Sequence, residues 1–270
     1  MFMLGKFSLI IVTRCNLRCK LCCEYVPQNT PFPDMTLEEE RNILDALFST
    51  VDHVKMLHLT GGGEPFLHPQ LAEMIHTAML YSNRFDQLML FTNSTLPLSD
   101  SIIQALCAYK DKIFIQLSQY GINKEREQAT AKLLLDHDIK HRVEKYYGDD
   151  QPFGGWVNFG SLEKYGRSPD ALENIFKKCA ITRDMHGNWR TRDGKVHWCS
   201  CSQRGGELGY IPADSNDYVD LFDNTYIAEK RAKFETIADA RYISACDYCS
   251  GLFGTTDETK RHSAARQEIK

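Results

Sequence analysis

The strongest constraint on the fold is a rhythm in the first 146 residues, where five strand-like runs, the first four mainly apolar, alternate with four helical patterns. Phe7 to Val12 ends at Thr13-Arg14-Cys15, and Val54 to Leu59 runs into Thr60-Gly61-Gly62-Gly63-Glu64-Pro65. Gln87 to Phe91 ends at Thr92-Asn93-Ser94, Lys112 to Leu117 ends at Ser118-Gln119-Tyr120-Gly121, and Ile139 to Tyr146 closes the series. Between the first two runs, Thr36 and Glu39 form a capping box ahead of an apolar face of Leu37, Ile43, Leu44 and Leu47. Segments near 68–81, 99–109 and 124–136 read as three more helices. Such alternation predicts a mainly parallel sheet with external helices, binding its ligands at the carboxyl ends of the strands.

Composition matters chiefly through ten cysteines in 270 residues, too many for ordinary packing and too dilute for a small disulfide scaffold. The N-terminal MFMLGKFSLIIVTR has no small-residue cleavage site, and no apolar stretch approaches the roughly 20 residues that span a bilayer. The expectation is a cytoplasmic protein without a membrane partner, in a reducing compartment where clustered thiols hold metal or do chemistry. A net charge of -4 with scattered basic residues draws no nucleic-acid footprint.

Cys15, Cys19 and Cys22 place three thiols within eight residues, directly after the first strand. Three thiolates can hold three irons of a cubane and leave the fourth open to another molecule. A three-thiolate zinc site with one further ligand, and unrelated packing cysteines, are the alternatives. The glycine run at 61–63 lets backbone approach a ligand closely.

This CxxxCxxC loop, followed in order by GGGEP, closely resembles the radical S-adenosylmethionine enzymes. The resemblance implies a [4Fe-4S] cluster on Cys15, Cys19 and Cys22 that coordinates S-adenosyl-L-methionine (AdoMet). It also implies that Gly62, Gly63 and Glu64 bind the methionyl amine, and that Ser118 helps hold the cofactor's carboxylate or ribose. Asn93, at the preceding sheet edge, is a further cofactor contact. Leu21 stands where the family commonly has an aromatic residue beside adenine. The implied fold class is α/β, a partial (β/α)6 TIM-type barrel over residues 1–160 with a small C-terminal twitch-like auxiliary-cluster domain over 161–256.

That second region opens after Gly148 to Gly160 breaks the rhythm, with a helix entered through Pro169 and a hairpin turn at Asp193-Gly194. Cys179, Cys199, Cys246 and Cys249 can complete a cubane without an open iron. The arrangement resembles the shortened SPASM module called a twitch domain, which implies one auxiliary [4Fe-4S] cluster. A two-cluster module would continue with more cysteines, whereas Thr255 and Thr259 follow here. Structural zinc on the same thiols is the alternative, and Cys201 can replace Cys199 as a ligand, pack as a buried thiol, or donate a hydrogen atom to substrate. Cys23 and Cys107 read as structural, and residues 257–270 as a loose tail.

The family chemistry implies hydrogen abstraction from a small polar or carbohydrate-like substrate, with oxidation of a secondary alcohol and the auxiliary cluster as electron acceptor. A reducing donor such as flavodoxin or ferredoxin would supply the first electron. His141, Arg142, Glu144 and Lys145 are placed to orient a polar substrate. Three alternatives stand beside this reading. The first is an epimerase of a sugar or aminocyclitol that returns hydrogen from Cys201, and the second is a peptide-modifying enzyme. The start of the chain almost at the cysteine loop leaves no room for a leader-capturing domain, which favours a small molecule. The third is a noncatalytic metal-binding module presenting Trp156, Phe159, Trp189 and Trp198 to a partner.

Overall fold

The computed structural model describes residues 1–152, 155–212, 216–252 and 261–268, so Thr255, Thr259 and residues 257–260 and 269–270 of the expected tail lie outside the described residues. Strands β1 (Met3–Val12), β2 (His53–Gly61), β3 (Phe85–Thr92), β4 (Ile113–Gln119) and β5 (His141–Lys145) pair in parallel in the order β5-β4-β3-β2-β1. They alternate with α1 (Leu37–Thr50), α2 (Leu71–Met79), α3 (Asp100–Ala108) and α4 (Lys124–Asp136). The Thr36–Glu39 capping box opens α1, and the side chains of Ser99 and Asn123 cap α3 and α4 by accepting from Ile102 and Arg126 N–H.

Strand period sorts the side chains. Leu9, Leu57, Leu59, Leu88, Leu90, Ile115 and Leu117 bury in the main core, whereas their neighbours along each strand share the opposite face. Register sets those neighbours in rows. Arg190, Ser8, His58, Met89 and Phe114 follow one another across the sheet, and Phe91, Gln116 and Arg142 form part of the next row.

The expected six β/α strands within residues 1–160 need correction. Five form there, and β6 (Trp156–Val157) leaves the sheet to pair antiparallel with β10 (Arg261–His262). The sixth parallel strand is β7 (Trp189–Thr191), which joins the free edge of β1 through Phe7 with Trp189 and Leu9 with Thr191. β8 (Lys195–His197) and β9 (Tyr218–Asp220) extend the same sheet antiparallel, to eight strands. Gly194, at φ 92, makes the turn between β7 and β8. One sheet therefore crosses the expected boundary at residue 160, because buried Trp189 packs edge-on against both Trp198 and Phe234 and belongs to the main core.

Helices α5 (Pro169–Lys178), α6 (Ala180–Arg183), α7 (Ser200–Glu207) and α8 (Ile227–Ala238) complete the C-terminal region. The described part of the expected loose tail is docked rather than free. Beyond β10, Ala265 is 4% exposed against Leu17 and Cys19, and the Lys20 and Glu268 N–H groups donate across to Arg266 and Arg18 carbonyls at 2.8 and 2.7 Å. Its polar composition hid this because the pairing uses main chain, which no side-chain pattern reports.

Candidate active site

The cysteine loop sits where β1 ends, and the loop after β2 packs onto it. Glu64 N–H donates to the Arg14 carbonyl at 2.9 Å. A Cβ on Gly63 would stand 2.0 Å from that same carbonyl oxygen, so glycine is required for the approach. A Cβ on Gly62 would meet side chains alone, the Thr13 methyl at 3.3 Å, the Glu24 carboxylate at 3.5 Å and the Ile10 methyl at 3.6 Å. Arg14 is itself anchored, its guanidinium donating to Asp34 at 2.6 to 3.1 Å and to the Leu67 carbonyl.

Glu64 is 2% exposed and accepts from Asn93 N–H at 2.7 Å and Phe66 N–H at 3.1 Å. Burial pushes its carboxyl up to about 7, with the hydrogen bonds from Asn93, Phe66 and Thr92 pulling the other way. Asn93 also reaches across, its amide donating to Asn16 Oδ1 at 2.9 Å and towards Cys15 Sγ at 3.8 Å. It thus ties the β3 end to both the glutamate and the cysteine loop. Ser118 lies in register with Glu144 and hydrogen-bonds Tyr120.

Cys15, Cys19 and Cys22 lie within electrostatic reach of one another. Burial holds Cys15 up at about 12 and Cys19 at about 11, so these thiols need a metal or an added charge to ionise at neutral pH. Donors already point at the sulfurs. Leu17 N–H lies 3.4 Å from Cys15 Sγ, and Gln267 Nε2 lies 3.1 Å from Cys19 Sγ.

The second thiol set gathers in an apolar recess walled by Cys179, Cys199, Cys246 and Cys249 with Ile175, Phe176 and Trp198. Gly251 N–H donates to Cys249 Sγ at 3.2 Å and Leu252 N–H to Cys179 Sγ at 3.4 Å. Cys201 belongs to this recess and is 6% exposed. A hydrogen bond between Cys201 and Cys249 holds the Cys249 thiol below its usual value and raises that of Cys201. Soft sulfur donors with N–H groups aimed at them suit thiolate-ligated iron at both places. Among the described residues, no group of three His, Cys, Asp or Glu side chains is arranged to hold a single metal ion.

A cavity of about 260 Å3 borders the first thiol set at Cys22 and is lined by Leu21, Tyr25, Phe159, Leu162 and Tyr210. Tyr25 takes the left-handed conformation at φ 54 and lines the cavity, and its buried hydroxyl has no hydrogen-bond partner among the described residues. Burial raises its phenol, reinforced by Cys201, Cys249 and Cys23, so Tyr25 lies within electrostatic reach of thiols from both regions. Beneath the loop, Glu24 forms a paired bond with Arg190 at 2.7 and 2.8 Å, and Arg204 reaches the Glu24 carbonyl at 3.3 Å.

The open face of the sheet carries a polar constellation at β4 and β5. Gln116 donates to Glu144 at 2.9 Å, Arg142 pairs with Glu144 at 3.0 Å and bonds Gln116, and the Tyr146 hydroxyl donates to Glu144. Of the four residues expected to orient a substrate, Arg142 and Glu144 lie together here, whereas the His141 ring bonds the Ile139 carbonyl and Lys145 pairs with Asp150 outside this group. Cys107 packs against the main core. Cys23, read as structural, is exposed as a residue, while burial of its sulfur raises the thiol, which lies 3.9 Å from Glu24. Sequence reasoning missed Tyr25, Glu24, Arg190 and Gln267. Only the first two carried a local signal, as a polar pair directly after the last cysteine.

The Radical SAM superfamily matches residues 9–146 of this sequence, and the chain belongs to it. It is an AdoMet-dependent enzyme. No curated protein matches the chain. Among solved structures, BtrN in complex with AdoMet and 2-DOIA is 13% identical with a TM-score of 0.56, over 98% of this chain and 98% of that one. Native anSMEcpe with bound AdoMet and the Kp18Cys peptide is 13% identical with a TM-score of 0.52, over 87% of this chain and 82% of that one. Streptococcus suis SuiB bound to AdoMet is 17% identical with a TM-score of 0.44 over 56% of this chain, which spans 36% of that protein's length. At such identities BtrN and anSMEcpe show the shared fold, a β/α sheet followed by a C-terminal auxiliary region. Trp189 and Trp198 are core residues at 4% and 3% exposure, which removes them from the partner surface that a noncatalytic module would need. Among the described residues, no helix is long and apolar enough to cross a membrane.

Proposed function

We propose that this enzyme is a radical AdoMet oxidoreductase that removes hydrogen from a carbon bearing a polar group. The observation that carries the reading is Tyr25, which lines the cavity beside Cys22 and lies within electrostatic reach of Cys201 and Cys249. A cluster held by Cys15, Cys19 and Cys22 would, with AdoMet, supply hydrogen-atom abstraction, and an auxiliary cluster held by Cys179, Cys199, Cys246 and Cys249 would take the second electron as the polar group's proton leaves to solvent. Gly62, Gly63 and Glu64 would hold the methionyl amine, with Asn93 and Ser118 at the adjoining strand ends. Gln116, Arg142, Glu144 and Tyr146 would orient the polar group of the substrate on the open sheet face. Buried against Cys249, Cys201 is better placed to support the auxiliary site than to return hydrogen, which favours oxidation over epimerisation.

Peptide modification is the second reading for the substrate. The peptide-bound anSMEcpe structure supports it, while BtrN with 2-DOIA supports a small molecule. The test is anaerobic reconstitution with iron and sulfide counting, followed by product mass spectrometry on panels of peptides and of polyhydroxylated small molecules. About eight irons, reductive cleavage of AdoMet and a two-hydrogen mass loss are expected. Zinc without iron, or unchanged substrate mass with solvent deuterium incorporated, would overturn it.

A further inference from the structure

The C-terminal segment spends its main chain on the cysteine loop. β10 anchors it to β6, Ala265 buries against Leu17, and residues 266–268 run antiparallel to residues 18–20 through the Lys20–Arg266 and Glu268–Arg18 bonds. At the centre of this strap the Gln267 side chain uses both ends of its amide. Its Oε1 accepts from Arg18 N–H at 2.7 Å, and its Nε2 donates to Cys19 Sγ at 3.1 Å and to the Ala265 carbonyl at 2.6 Å. Arg18 adds an ion pair to Glu268 at 3.4 Å. The amide is thus held by two further contacts, to Arg18 N–H and the Ala265 carbonyl, while it faces one sulfur from 248 residues away in sequence.

We propose that residues 261–268 are a strap clamping the cysteine loop, and that Gln267 tunes the cluster held there by donating an N–H···S hydrogen bond to Cys19. This rests on the cluster assignment made above. A donor aimed at a ligating sulfur withdraws electron density and stabilises the more negative, reduced cluster, which raises its reduction potential. The strap also covers the loop and limits water at the sulfur, and partners of this kind affect retention of the metal as well as its potential.

The test compares wild type with Gln267→Met and Gln267→Glu in the full chain, reconstituted anaerobically and titrated with electron paramagnetic resonance detection. The signal that AdoMet perturbs identifies the N-terminal cluster. Gln267→Glu keeps an acceptor for Arg18 N–H, so it separates the sulfur contact from loop docking. Both variants are expected to move that midpoint to more negative values, further for Gln267→Glu because its carboxylate faces a thiolate. The auxiliary signal should stay in place, and iron retention against a chelator should fall by about 10-fold. Wild-type iron content with unchanged midpoints in both variants overturns this inference alone. A wild-type protein without iron at Cys15, Cys19 and Cys22 overturns the cluster assignment and the inference together. Should Gln267→Glu fail to hold iron, the midpoint of Gln267→Met decides.

Discussion

At Glu64 one carboxyl group is asked to be both buried and charged. Burial pushes it up to about 7, while N–H groups from Asn93 and Phe66 support the ionised form without fully restoring it. An acid raised in this way is protonated below about pH 7, and a neutral carboxyl attracts an ammonium group poorly. If Glu64 receives the methionyl amine, AdoMet affinity is highest above pH 7 and weakens as pH falls, approaching about tenfold per pH unit on the acid side. Glu64→Gln should bind AdoMet weakly even at pH 8 and lose this dependence. Anaerobic calorimetry with reconstituted protein between pH 6 and 8 checks both outcomes, and an equal pH slope in wild type and variant would remove Glu64 from the amine site. The role was legible in the GGGEP motif, but the environment was not, because Asn93 supplies its N–H from 29 residues away on another strand.

At the scale of elements, the loops matter through how tightly they touch. The loop after β2 meets the cysteine loop backbone to backbone at Gly63, where an added methyl group would stand 2.0 Å from a carbonyl oxygen and 2.4 Å from its carbon. Neither partner is the flexible end of a side chain, so Gly63→Ala must displace residue 14, next to the proposed ligand Cys15. At Gly62 the same change meets a threonine methyl at 3.3 Å, which can give slightly. The prediction is an ordered pair: Gly63→Ala loses most of its N-terminal iron and its AdoMet binding, whereas Gly62→Ala keeps the iron and loses less affinity. Iron counting per chain after reconstitution distinguishes them, and equal losses would show that the contact is not what the glycine run serves. The first four strands could be read from apolar runs, because each is buried on its own period, whereas the fifth, HRVEK, has no buried residue. What could not be read was which strand would join β1. Trp189 to Thr191 is only three residues long, and its place in the sheet is decided by packing of Trp189 on Trp198 and Phe234.

Across the whole molecule, a buried charge network joins the radical half to the auxiliary half. Glu24, two residues past Cys22, pairs with Arg190 of β7, whose side chain is 5% exposed. Arg190 continues to Gln203 on α7, and Arg204 binds the Glu24 carbonyl and pairs with Glu207. A paired guanidinium and carboxylate can balance their desolvation, but a lone buried carboxylate cannot. Arg190→Met should therefore cost about 3 to 5 kcal/mol, because it strands Glu24 beneath the cysteine loop. The loss should register at two distant places, as a lower unfolding midpoint and as reduced iron at the N-terminal set, although Arg190 ligates nothing. Arg190→Lys keeps the charge but gives up the paired geometry and should fall between. The decisive variant is the double change Glu24→Gln with Arg190→Met. Removing the stranded charge should recover part of the lost stability, whereas two additive losses would mean that residues 24 and 190 act independently and that the halves are joined elsewhere.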